Sequence, residues 1–118
     1  MKKLILLIVC VGISNIKAYT WTINNKTKES LVVTVQAKLP VLESKPSAYG
    51  ASIKPNSVGQ ISTGARCGVE VDIQGSLSHS AVWKPEDNVP YQCGGPTIVV
   101  EPAATGTGFK LTTTYDWL

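Results

Sequence analysis

The sequence predicts an all-β protein, an antiparallel β-sandwich of about seven or eight short strands that follows a cleaved signal peptide. Three observations support this prediction. Hydrophobic and polar residues alternate along most of the chain, as in strands that bury one face and expose the other. Gly, Pro and Asn separate the alternating segments at short intervals. A basic and then apolar segment precedes the first of them.

Residues 1–18 have the layout of a secretory signal peptide. Met1-Lys2-Lys3 is a short positive segment, residues 4–13 are apolar, and a polar stretch ends at Ala18, after which we place the cleavage site. The apolar run is too short for a membrane-spanning helix, which needs about 20 apolar residues. We therefore expect a secreted or periplasmic protein with a single domain, residues 19–118.

The alternating segments predict the individual strands. We expect strands over residues 19–24, 31–38, 49–53, 58–63, 68–74, 81–83, 97–101 and 109–115. No segment carries the 3.6-residue period of an amphipathic helix, so no helix is expected. The predicted core includes Ile23, Val33, Val35, Val71, Ile73, Val99, Phe109 and Leu111. A small closed barrel is the alternative to the sandwich.

Turn chemistry connects several of these strands. Lys54-Pro55-Asn56-Ser57 predicts a turn with Pro at its second position, and residues 104–108 predict a hairpin. Two stretches resist the strand pattern. Residues 39–48 contain two prolines, which disfavour pairing inside a sheet. Residues 75–96 form either a binding loop or a cover for one open end of the sandwich, with Trp83 as a plug.

The cysteine count predicts one disulfide. Removal of the signal peptide removes Cys10 and leaves Cys67 and Cys93 in an exported chain. Their bridge would stabilise the fold by roughly 3 to 4 kcal/mol in the chain-entropy model. A structural zinc site needs four ligands, and only His79 is available beside the two cysteines. We therefore expect no metal site and no cofactor.

The charge balance excludes two classes of protein. The chain has 11 basic and 8 acidic residues, but Lys2, Lys3 and Lys17 lie in the predicted signal peptide, which leaves 8 (11 − 3) against 8. A nucleic-acid-binding protein needs an excess of cations, as does a polybasic membrane-surface protein. Neither class is expected here.

Candidate catalytic arrangements are weak. A serine–histidine–acid arrangement at His79 is disfavoured, because Ser78 and Ser80 would point to the opposite face of a strand. Glu70 and Asp72 share one strand face, but they alternate with predicted core valines and are expected to be solvated. We expect a protein that is not an enzyme.

The predicted binding surface is the segment 78–92, which combines an aromatic anchor with polar groups. Pro85 and Pro90 restrict its flexibility, and the expected disulfide fastens one end. The candidate contact residues are His79, Trp83, Glu86, Asp87, Asn88 and Tyr91. The competing surface is formed by the terminal strands around Trp21 and Trp117.

Two functions remain open. The first is a non-enzymatic recognition module, expected to be a monomer, that binds a protein or glycan partner through loops. The alternative is a lipid-binding or membrane-damaging β-sandwich protein, which needs an exposed aromatic cluster or a cationic face. Asn25-Lys26-Thr27 is also a formal N-glycosylation acceptor.

The strand that bears Trp21, followed by Ile23-Asn24-Asn25 and a valine-rich strand, resembles the beginning of aegerolysins and thaumatin-like β-sandwich proteins. The similarity covers generic strand-turn-strand features. The dense disulfides of thaumatin-like proteins and the acidic balance of aegerolysins are absent. The resemblance therefore implies no functional residues for this chain.

Overall fold

The computed structural model describes residues 18–85, 91–104 and 108–115, and this part of the chain contains eight strands and no helix. The all-β prediction is confirmed. Residues 1–17 of the predicted signal peptide lie outside the described residues. The strands are β1 (Tyr19–Asn25), β2 (Leu31–Lys38), β3 (Ser47–Ile53), β4 (Ser57–Gly64), β5 (Cys67–Gly75), β6 (Ser80–Trp83), β7 (Thr97–Pro102) and β8 (Phe109–Thr114).

The strands form two sheets of four. The first sheet has the order β4-β1-β7-β8, and the second has the order β3-β2-β5-β6. All neighbouring strands are antiparallel except β1 and β7, which pair in parallel. The predicted turn after Ile53 carries the chain from one sheet to the other, with Asn56 at a φ of 52°. β7 and β8 pair antiparallel, as the predicted hairpin requires, and residues 105–107 of that connection lie outside the described residues.

One hydrophobic cluster is built from the inward faces of both sheets. Trp21 of β1 is fully buried and packs edge-to-face against Trp83 of β6, with ring centroids 5.3 Å apart. Five residues of the predicted core are fully buried: Ile23, Val33, Val35, Val71 and Ile73. Phe109 and Leu111 are half-buried and pack against this cluster.

The prediction for Val99 was wrong. Val99 is only half-buried, whereas its neighbours Ile98 and Val100 are fully buried. The polar residues Thr97 and Glu101 flank the apolar run of β7 and share the outer face with Val99, so alternation extended to them places Val99 outside the core. The pairing between two strands agrees, since Ile98 lies opposite the buried Ile23 of β1.

Seven of the eight strands have ends that differ by one or two residues from the predicted bounds. β3 begins at Ser47, because the antiparallel ladder with β2 continues to the Ala37–Ser47 pair. The strand predicted over residues 81–83 is β6, which pairs with β5 and divides the segment 75–96. The connections between consecutive strands lie at two opposite ends of the sheets.

We call one end the disulfide end. It holds residues 39–46, 65–66, 84–85 and 91–96. We call the other the histidine end, which holds residues 26–30, 54–56, 76–79, 103–104 and 108.

The predicted disulfide between Cys67 and Cys93 is confirmed. Beside it, the backbone of Gly68 pairs with that of Gln92 through two hydrogen bonds of 2.8 and 2.7 Å. A side chain at Gly68 would collide with the indole of Trp21, which explains the glycine there. The bridge, the backbone pair and the glycine together hold residues 91–93 against the buried start of β5.

Candidate functional site

The structure separates the residues of the predicted binding surface. Trp83 is 8% exposed and belongs to the core, the placement expected if it plugs the end of the fold. His79 lies at the histidine end, whereas Tyr91 lies half-buried at the disulfide end. Glu86, Asp87 and Asn88 lie outside the described residues. A contact between any of these six residues and a partner stays a prediction.

The competing surface on the terminal strands was predicted around two tryptophans, and one of them is buried. Trp21 is fully buried, with its side chain inside the common core. Trp117 lies outside the described residues. An aromatic platform centred on Trp21 is therefore not available at the surface.

The connection between β2 and β3 exposes an apolar pair. Val41 is 100% exposed and Leu42 is 80% exposed, more than any other large hydrophobic side chain among the described residues. Val41 also has a φ of 72°, in the left-handed region that a β-branched residue rarely adopts. We call Val41 and Leu42 the apolar tip.

Glu43 closes the turn directly behind the apolar tip. Its backbone N–H donates to the carbonyl of Leu39 at 3.0 Å, and its Oε1 accepts from the Leu39 N–H at 2.8 Å. The two residues are thus joined by one backbone bond and one side-chain bond. This arrangement fixes the turn that carries Val41 and Leu42.

Arg66, the only arginine of the chain, connects this turn to the rest of the fold. Its Nε donates to Glu43 Oε1 at 2.8 Å, and its Nη2 donates to Oε2 at 3.0 Å. Its Nη1 donates to the hydroxyl of Tyr49 at 3.0 Å. The Arg66 backbone is held in turn, since its N–H and carbonyl both bond to Thr63, which is fully buried.

The ion pair perturbs both groups. The hydrogen bonds from Arg66, then that from the Leu39 N–H, hold the pKa of Glu43 below its ordinary value against the effect of desolvation. The bonds to Glu43 and Tyr49 raise the pKa of Arg66. The turn that carries the apolar tip is therefore held by a bidentate ion pair, and the two parallel hydrogen bonds of such a pair fix its geometry.

The histidine end contains a buried carboxylate. The Glu29 side chain is 7% exposed, and its Oε1 accepts from the Leu77 N–H at 2.8 Å. Its Oε2 lies 2.5 Å from Nδ1 of His79. Burial raises the pKa of Glu29, but the bonds from His79 and Leu77, together with the charge of His79, bring it below its ordinary value.

Asn25 supports this arrangement from the core side. It is fully buried, and its amide donates to the carbonyls of Glu29 at 2.8 Å and Lys54 at 3.0 Å. Its Oδ1 accepts from the N–H and the hydroxyl of Thr27, at 3.0 and 2.7 Å. Because this amide is buried and bonded, the formal glycosylation acceptor is inaccessible in the folded protein.

A pocket of about 290 Å³ opens beside this network. It lies between the connections of the histidine end and includes His79 and Phe109, whose rings meet edge-to-face with centroids 5.8 Å apart. The other lining residues include Lys26, Lys28, Glu29, Asn56, Leu77 and Pro102.

Glu70 and Asp72 lie on the outer face of the second sheet, as expected. Glu70 faces Lys84 at 3.7 Å, and Asp72 accepts a bond of 3.4 Å from Gln36. Across residues 18–85, 91–104 and 108–115, no three His, Cys, Asp or Glu side chains come together as a metal site requires. In the same residues, no helix is long and apolar enough to cross a membrane.

Sequence reasoning missed the Glu43–Arg66 pair and the Glu29–His79 pair. Glu43 and Arg66 are 23 residues apart, and Glu29 and His79 are 50 apart, with no local pattern to join them. The apolar tip did leave a signal, since two aliphatic residues follow a proline in a segment that cannot pair as a strand.

Comparison with protein-family models, with curated proteins and with solved structures finds no match to this chain. The resemblance of the first two strands to aegerolysins and thaumatin-like proteins receives no support from it.

Proposed function

We propose that this protein is a secreted or periplasmic β-sandwich recognition module that binds a protein partner through the apolar tip, without catalysing a reaction. The observation that carries the proposal is the exposure of Val41 and Leu42 on a turn fixed by Glu43 and Arg66. The sandwich assignment is supported by the single core to which both sheets contribute.

The braced turn suits a binding loop for an energetic reason. A flexible loop loses conformational entropy when it binds, at about 0.5 to 1.5 kcal/mol per immobilised side chain, and part of this cost is avoided if the loop is already fixed. Aliphatic side chains that are this exposed gain buried area when a partner covers them. Both features favour recognition at the tip.

The chemistry of the tip favours protein over glycan or lipid. Glycan sites use exposed aromatic platforms, and the two tryptophans of the described residues are buried in the core. A membrane-binding tip is the alternative function. It is less favoured because the tip has two aliphatic residues without an aromatic one, and residues 19–118 carry no excess of cations.

The export compartment is supported by the disulfide. Disulfides persist in secreted and periplasmic proteins and are rare in reducing compartments. The Cys67–Cys93 bridge fits the basic and apolar N-terminus that suggests a signal peptide.

A comparison of two matched variants tests the proposal. The native protein, the double variant Val41→Ser/Leu42→Ser and the control Leu77→Ser are immobilised and exposed to extract from the compartment that contains the protein. Leu77 is 68% exposed at the opposite end, so the control removes an exposed aliphatic side chain that is remote from the tip. Bound proteins are quantified by mass spectrometry, and binding of the captured protein is then measured with purified components.

The expected result is one protein that binds the native chain and Leu77→Ser equally, and binds the tip variant at least about tenfold more weakly. Equal binding to the tip variant would contradict the proposal. Vesicles of phosphatidylcholine, with and without phosphatidylglycerol, form the second arm. Vesicle binding that is lost in the tip variant would overturn the protein proposal in favour of the lipid alternative.

A further inference from the structure

His79 lines the pocket at the histidine end, and a carboxylate holds one of its two ring nitrogens. Its Nδ1 is held by Glu29, and its side chain is 33% exposed. Its Nε2 has no hydrogen-bond partner among the described residues, and His79 lines the pocket. A carboxylate behind one ring nitrogen fixes the orientation of the imidazole.

Two lysines add positive charge around the same pocket. Lys26 and Lys28 line it and are exposed, because they alternate with the buried Thr27 and Glu29. Neither lysine forms an ion pair within the described residues. Glu29 is the one acidic residue of the described lining, and both of its carboxylate oxygens are engaged. The pocket therefore attracts an anion.

Part of the remaining wall is apolar, beside the polar Thr27 and Asn56. Leu77 is 68% exposed, and Phe109 is half-buried with its ring edge-to-face against His79. Pro102 lies beside them. The pocket volume of about 290 Å³ is at the lower end of the range for small-molecule sites, which suits a ligand of modest size.

We infer that this pocket is a second binding site, for a small organic carboxylate. The carboxylate group lies among Lys26, Lys28 and the Nε2 of His79, and the apolar part of the ligand packs against Leu77, Pro102 and Phe109. Glu29 is a positioning residue that holds the imidazole. This site is independent of the apolar tip, which lies at the other end of the molecule.

The single histidine of the chain makes the test specific. The imidazole ¹⁵N and ¹H signals of His79 are followed by NMR at constant pH while benzoate or hexanoate is added. Benzamide is the neutral match for benzoate, and inorganic phosphate is an anion without an apolar part. The expected result is a saturable shift of the His79 Nε2 signal and of the Phe109 ring signals with the two carboxylates.

A matched pair of variants identifies the charges. Lys26→Gln/Lys28→Gln is expected to weaken benzoate binding at least about tenfold, since charge-assisted hydrogen bonds contribute more than neutral ones. Lys38→Gln/Lys45→Gln, at the disulfide end, is expected to leave binding unchanged. All four lysines project from connections or strand ends, so the circular dichroism of both variants serves as the folding control.

Three results would overturn the inference. The first is the absence of a saturable His79 shift with either carboxylate. The second is equal binding of benzamide, which would remove the role of the negative charge. The third is phosphate binding as strong as benzoate binding, which would remove the role of the apolar wall. None of them affects the proposal for the apolar tip.

Discussion

The two ends of the molecule use a glutamate in different ways. At the disulfide end, Glu43 lies near the surface and forms a bidentate pair with Arg66, and the loop it holds exposes Val41 and Leu42. At the histidine end, Glu29 is nearly buried and bonds to a histidine and a backbone N–H. In each case a carboxylate fixes one connection by reaching another connection or strand.

The difference lies in the partner and in the burial. Arginine keeps its charge at every pH that a folded protein meets, whereas histidine also exists as a neutral ring that is both donor and acceptor. The Arg66 pair is therefore suited to a permanent brace under a binding loop. The Glu29–His79 pair lies beside a pocket, and Nε2 of His79 has no hydrogen-bond partner within the part of the chain that the structure describes.

The largest expected effect is at the disulfide end, where Trp83 closes the core. Trp83→Ala should lower the free energy of unfolding by about 3 to 5 kcal/mol, because it leaves a cavity beside Trp21. Tyr91→Ala, from a half-buried site nearby, should cost less than about 1.5 kcal/mol. Urea denaturation measures both. Equal and small effects would mean that Trp83 does not plug this end.

Removal of the disulfide should have the next largest effect. Cys67→Ser/Cys93→Ser opens a bridge between residues 26 apart in the chain, and should lower the free energy of unfolding by roughly 3 to 4 kcal/mol. Amide hydrogen exchange should show greater loss of protection at Gly68 and Gln92 than at Leu77 of the histidine end. Uniform loss across both ends would contradict the local role of the bridge.

Acid should weaken both ends, since both carboxyl groups have a pKa below the ordinary value of 4.5 in the folded protein. A lowered pKa stabilises the fold above pH 4.5, and this contribution is lost as the pH falls through the folded-state pKa. Glu29→Gln and Glu43→Gln should each flatten the decrease in the free energy of unfolding below pH 4.5, as followed by urea denaturation across pH. A decrease as steep as in the native protein would exclude the substituted carboxyl as its source.

Glu29→Gln should also cost stability at neutral pH, because its partners at the histidine end lose a charged acceptor in a buried site. Glu43 is more exposed, so Glu43→Gln should have a smaller effect on stability there. Glu43→Gln should instead loosen the turn that carries the apolar tip. Faster amide exchange of the backbone N–H at position 43 would reveal this change. A larger loss of stability for Glu43→Gln than for Glu29→Gln would contradict this comparison of the two ends.

The smallest expected effect concerns the strained backbone at the apolar tip. Val41→Gly should leave the protein as stable or raise the free energy of unfolding by up to about 1 kcal/mol, because glycine adopts a φ of 72° without strain. Val58→Gly is the control, since Val58 is 61% exposed but lies in β4, where glycine weakens a strand. Thermal unfolding distinguishes the two. A loss of stability at Val41 equal to that at Val58 would argue against backbone strain at the tip.

Much of the fold was predictable because strand patterns are local. In β2 and β5, valines or isoleucines alternate with polar residues, so Val33, Val35, Val71 and Ile73 could be placed in the core from sequence. The disulfide could be predicted because only two cysteines follow the N-terminal segment. In the apolar run of β7 the prediction chose the wrong face, although the flanking Thr97 and Glu101 share the outer face with Val99.

The sequence by itself determined the all-β class, most strand positions and the cysteine pair, since each depends on residue type and short spacing. Only the tertiary structure decided the division into two sheets, the burial of Asn25 and Glu29, and the pairing of Glu43 with Arg66. Asn25 and Glu29 belong to a polar stretch that resembles an ordinary solvated turn. They are buried because the packing of the sheets brings separate connections together, and hydrogen bonds from those connections replace the water that each group loses.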